Sequence, residues 1–63
     1  MIHVIKHFRK GWAVKKRGAR RAIKLFNTQK EAIKFGTELV KKHKTMLYIH
    51  EEDGRVLGLV RDN

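Results

Sequence analysis

Sixty-three residues carry sixteen lysines and arginines against six acidic side chains, a formal charge of +10, with 41% apolar residues and neither cysteine nor proline. This length supports one small domain burying only about 60% of its unfolded surface. Disulfides and thiolate metal sites are excluded, and no apolar run approaches the ~20 residues of a membrane helix.

Ile2 to Phe8 is apolar and β-branched and reads as a first strand. His3 interrupts its apolar opening and Lys6 follows at once, so no secretory leader is expected. Arg9-Lys10-Gly11 is a glycine-bearing break of hairpin length, after which Trp12 to Lys16 alternates at period two. A second break, Arg17-Gly18-Ala19-Arg20, leads to a third segment from Arg21 to Phe26. These segments make a three-stranded antiparallel meander over residues 2–26. Trp12, Val14, Ile23 and Leu25 are expected to face the core, and Ala13, Lys15, Arg17, Ala22, Lys24 and Phe26 to face outward.

The period then lengthens. Thr28-Gln29-Lys30-Glu31 is a capping box: a threonine hydroxyl can accept from the amide three residues on, and the glutamate can reach back to the cap's amide. Behind it Ala32, Ile33, Phe35, Gly36, Leu39, Val40 and His43 gather on one side, with lysines on the other, which predicts an amphipathic helix over 28–43. Phe26, just before the cap, suits a hydrophobic staple against Ile33 or a neighbour. Thr45 to His50 returns to strand composition. The Asp53-Gly54 turn joins it to a closing strand over 55–60, a C-terminal hairpin spanning 45–60. The order β-β-β-α-β-β predicts one α+β domain over 1–63, an antiparallel sheet packed on one face against a single amphipathic helix.

Three stretches in register carry a resemblance. Gly11-Trp12-Ala13-Val14, Phe26-Asn27-Thr28-Gln29-Lys30-Glu31-Ala32, and Ile49-His50 followed by Asp53-Gly54-Arg55-Val56 resemble a family of short uncharacterised bacterial and phage proteins. Its members read G-W-x-V, F-x-T-x-x-E-A and V-H-x-x-D-G-R-I. The family is a domain of unknown function, so the likeness implies no role. The chain departs from it at Lys6, where members often carry a proline, and in an ending that lacks their polar tail. Trp12-x-Val14 with Phe26-x-Thr28-x-x-Glu31-Ala32 is also similar to the arm-site-binding domain of phage-type tyrosine integrases. That likeness, over roughly residues 4–43, implies three strands laid in a DNA major groove.

Charge is distributed unevenly. Residues 1–30 hold ten basic side chains and no acidic one; residues 31–63 hold six of each and sum to zero. A like-charged surface repels itself and persists most readily where a polyanion neutralises it. Duplex DNA is therefore the expected partner, bound through Arg9, Lys10, Lys15, Arg17, Arg20, Arg21 and Lys24 on the N-terminal sheet and its hairpin tips. The alternative is a phage or mobile-element module that docks on an acidic host protein, using Gln29, Lys30, Lys34, Lys41 and Lys42 on the outer side of the helix. Trp12 is expected in the core, and Tyr48 exposed if Leu47 and Ile49 point inward.

Catalysis has little support: serine and cysteine, the usual nucleophiles, are absent, and Glu51-Glu52-Asp53 reads as a solvated turn. No cofactor, small-molecule substrate or membrane partner is expected. His3 and His7 on one strand would stand about 13 Å apart, so no metal site is expected either. His43 is assigned to packing or capping at the helix end, and His50 to orienting the Asp-Gly turn. Absent cysteine suits a bacterial cytoplasm or nucleoid.

Overall fold

A switch from period two to period 3.6 after Asn27 organises the elements of the computed structural model, which describes residues 1–7, 9 and 11–61. The strands are β1 (Ile2–Lys6), β2 (Trp12–Lys16), β3 (Lys24–Phe26), β4 (Met46–His50) and β5 (Val56–Arg61); α1 (Gln29–His43) stands between β3 and β4. They form one sheet in the order β3-β2-β1-β4-β5, with α1 packed on one face. The expected α+β architecture is present, with one departure inside the sheet. β1 and β4 pair in parallel, Ile2 beside Leu47 and Val4 beside Ile49, whereas the other three pairings are antiparallel. A chain that leaves the sheet along a helix can return beside an earlier strand in the same direction, which a two-residue hairpin cannot do. β1 thereby becomes the central strand.

The helix-facing residues of the three central strands alternate with outward ones. Ile2, Val4, Trp12, Val14, Leu47 and Ile49 are buried against Ala32 and Val40, with Phe26, Ile33, Phe35, Leu39 and Val60 around them. Gly36 permits the closest approach of helix and sheet: a Cβ there would lie 2.8 Å from Leu47 Cδ1. At the helix start Thr28 Oγ1 accepts the Glu31 amide at 3.2 Å. Its hydroxyl donates to Glu31 Oε1 at 2.9 Å, so the glutamate meets the cap's side chain rather than its amide. Lys44 ends the helix in the left-handed region, φ 50°, its amide donating to the Val40 carbonyl.

Two sequence expectations need correction. β3 is shorter than expected, and its faces are reversed: Phe26 pairs with Trp12 and Lys24 with Val14, which puts both on the helix side. Leu25 lies beside Ala13 on the other face, 53% exposed, and Ile23 precedes the strand at 48%. A slip of one residue inverts every side chain of a strand. Here the large ring decides the register, because Phe26 packs on Phe35 of α1 at 5.3 Å between centroids. His43, expected in the apolar stripe, is exposed beyond the last buried turn. No described helix is long and apolar enough to cross a membrane.

Candidate nucleic-acid interface

The face opposite α1 has no second layer. By strand alternation it presents Leu25, Ala13 and Ile5 along one rung, then Lys15, His3, Tyr48 and Leu59 along the next, then Met46 and Arg61. Residues 17–23, the connection from β2 to β3, cover part of it. The Ile23 amide donates to the Val14 carbonyl at 2.7 Å and the Ala19 amide to the Lys16 carbonyl at 3.0 Å. This connection carries Arg20, Arg21 and Ala22 over the sheet, where with Lys15 they wall a cleft of about 560 Å³ floored by Ile5, Ala13 and Leu25. Ala13 is only 2% exposed although it points away from the helix.

A smaller cleft of about 230 Å³ adjoins this one along Ile5 and Lys15, bounded by His3, Lys16, Arg17 and His50. Among the described residues no carboxylate lines either cleft. The described acidic residues stand elsewhere, Glu31 and Glu38 on α1 and Glu51, Glu52 and Asp53 at the β4–β5 turn, and Asp62 lies outside the described residues. Both ion pairs found among the described residues belong to Arg55, with Asp53 at 2.8 Å and Glu51 at 3.4 Å. Four cations of the uncovered face, Lys15, Arg17, Arg20 and Arg21, thus form no ion pair with a described acidic residue.

Of the seven positions expected from sequence, these four come together. Arg9 is exposed on the connection between β1 and β2, and Lys10 lies outside the described residues. Lys24 does not join the face. Its ammonium sits 5.4 Å from the Phe26 ring and 5.5 Å from the Phe35 ring on the helix side, a consequence of the reversed β3 register. Five strands at ~4.8 Å spacing make the sheet about 19 Å across, against ~12 Å for a major groove, and the Arg20–Arg21 connection is the narrower element of this face.

Sequence reasoning missed a cluster at the centre of this face. His3 on β1 and His50 on β4, 47 residues apart, meet with Nδ1 and Nε2 at 3.0 Å, and the Tyr48 ring stacks on His3 at 5.3 Å. His50 Nδ1 contacts the Gly54 carbonyl at 3.0 Å. A carbonyl only accepts, so this nitrogen carries a proton, and in neutral His50 the Nε2 accepts from His3 Nδ1. His50 thus orients the Asp-Gly turn as expected and positions His3 as well. The His3 pKa lies below its ordinary value, chiefly through burial, then through His50, the amino terminus and Arg17. Both histidines alternate with core residues in sequence, which predicts their face; their adjacency arises from the parallel pairing, which local pattern does not encode.

Comparison with known proteins yields a family and little else. Residues 2–57 match the family described as "Uncharacterized protein conserved in bacteria (DUF2188)". The chain is 46% identical over 54 residues to "Uncharacterized protein YdaT" of Bacillus subtilis (strain 168), a match covering 86% of this chain and 35% of that protein. The match thus spans about a third of the relative's length. No solved structure matches the chain. None of these matches is to an integrase, so that likeness rests on the tryptophan strand and capped helix alone.

Proposed function

The chain belongs to this family of uncharacterised conserved bacterial proteins, and with no activity attached to the family we propose from the face itself that it is a nucleic-acid-binding protein whose ligand is duplex DNA. One observation carries the reading. Lys15, Arg17, Arg20 and Arg21 are gathered on the one sheet face that no helix covers, and no described carboxylate lines its clefts or pairs with them. Lysine and arginine on such a face neutralise phosphates and release counterions, which needs no catalytic group. Arg20 and Arg21 enter a groove, Lys15 and Arg17 hold the backbone beside it, and Arg9 adds a contact from the opposite end of β2. With that ligand the protein works in the bacterial cytoplasm, at the nucleoid.

Docking on an acidic protein is the second reading, and the exposed Lys30, Lys34, Lys41 and Lys42 of α1 favour it. Titration against a duplex at several salt concentrations tests the first. If about five phosphates are neutralised, log K falls with log salt at a slope near −4.5. A slope shallower than about −2, or no binding at ~50 mM salt, contradicts duplex recognition.

A further inference from the structure

We propose that the smaller cleft of the uncovered face is a proton-linked oxyanion site, in which His3, held by His50 and flanked by Lys15 and Arg17, receives a phosphodiester group of the bound nucleic acid. The inference rests on the nucleic-acid reading for the source of the phosphate; the chemistry of the cleft is independent of it. Its volume of about 230 Å³ accommodates a tetrahedral oxyanion, and the described polar side chains that line it, His3, Lys15, Lys16, Arg17 and His50, are all cationic or imidazole. Lys15 stands directly opposite His3 on β2. Arg17 follows on the same strand end, its amide donating to the Met1 carbonyl at 3.0 Å.

The hydrogen-bond directions give the pair a specific capacity. With His50 Nδ1 donating to Gly54 and His3 Nδ1 donating to His50 Nε2, the unprotonated nitrogen left in the pair is His3 Nε2. One extra proton can therefore enter there without breaking either hydrogen bond, and it converts an acceptor into a charged donor. Without an anion this protonation is opposed first by burial, where the Tyr48 ring stacks on His3, then by His50 on β4, the amino terminus and Arg17 at the end of β2, while Lys15 stands cross-strand from His3. A phosphate oxygen in the cleft reverses the sign of that field and favours the imidazolium. Binding then takes up a proton, and by linkage affinity rises as pH falls.

The test uses the intact chain, a 16-base-pair duplex and inorganic phosphate as probes, with imidazole NMR of His3 as the direct readout. Saturation with either probe is expected to move the His3 titration midpoint upward. Duplex affinity should be about tenfold greater at pH 5.5 than at pH 7.5, the order expected for one charge-assisted hydrogen bond to phosphate. His3→Gln and His50→Gln should each remove most of that tenfold while lowering the salt slope at pH 5.5 by no more than about 1. A His3 midpoint unmoved by both probes, or full pH dependence retained in His3→Gln, overturns the oxyanion site and leaves duplex binding standing. A midpoint moved by inorganic phosphate in a protein that fails to bind duplex supports the site and removes the nucleic acid as its source. Because the midpoint is read on the unaltered protein, a variant that fails to fold does not obscure the result.

Discussion

Gly11 takes φ 82°, and a Cβ on it would strike the carbonyl oxygen of Phe26 across the β2–β3 pairing. That is a backbone contact with nowhere to move, so Gly11→Ala is expected to destabilise by at least about 2 kcal/mol. Trp12 beside it is 8% exposed, and its ring carries the Lys6 ammonium at 5.4 Å on the helix side. Trp12→Ala should cost about 3–5 kcal/mol, a large share of the stability of so small a domain. A thermal midpoint left unchanged with binding abolished would instead make Trp12 a contact residue. His3 supplies a prediction in pH. Its folded pKa lies below the ordinary 6.5, so as pH falls through that value the unfolded chain takes up the proton first. Stability from this residue is intact above pH 6.5 and declines below it until the folded form also protonates. Denaturant midpoints measured from pH 7.5 to 5 should fall further for the natural protein than for His3→Gln.

At the scale of elements, the helix was legible because its signals are local. Thr28 caps, Glu31 meets the cap, and Ala32, Gly36 and Val40 recur at helical spacing on the buried side. Thr28→Ala should cost about 1 kcal/mol by thermal or chemical denaturation. Lys44, a non-glycine residue at φ 50°, should show the opposite sign: Lys44→Gly is expected to stabilise by up to about 1 kcal/mol. The β1–β2 hairpin, the C-terminal hairpin and the inward set Trp12, Val14, Leu47 and Ile49 were equally readable from alternation. β3 was not. Lys24-Leu25-Phe26 alternates in either register, and the choice depends on Phe35, nine residues downstream on another element. The parallel β1–β4 pairing is likewise fixed by the path of the chain over the sheet, so the meeting of His3 with His50 has no local signature. Lys24→Glu checks the corrected register. It should leave duplex affinity within about twofold and cost about 0.5–1 kcal/mol through the lost contacts with Phe26 and Phe35.

For the whole molecule, the arrangement is a two-layer body with acids and bases unequally shared between its sides. The uncovered sheet face holds Lys15, Arg17, Arg20 and Arg21 with no described carboxylate lining its clefts, and the outer side of α1 mixes Lys34, Lys41 and Lys42 with Glu38. The two sides are separated by the sheet and by a helix ~10 Å in diameter, more than the ~8 Å Debye length at physiological salt. Charges on one side therefore act only weakly on a polyanion docked at the other. Matched triple reversals measure this most directly: Lys15→Glu, Arg17→Glu and Arg21→Glu together, against Lys34→Glu, Lys41→Glu and Lys42→Glu together. Circular dichroism first confirms that both proteins fold, and each is then titrated with the same duplex. The sheet set should abolish detectable binding, and the helix set should reduce it by no more than a few-fold. Equal losses from both sets, or loss from the helix set alone, would contradict a binding role for the uncovered face.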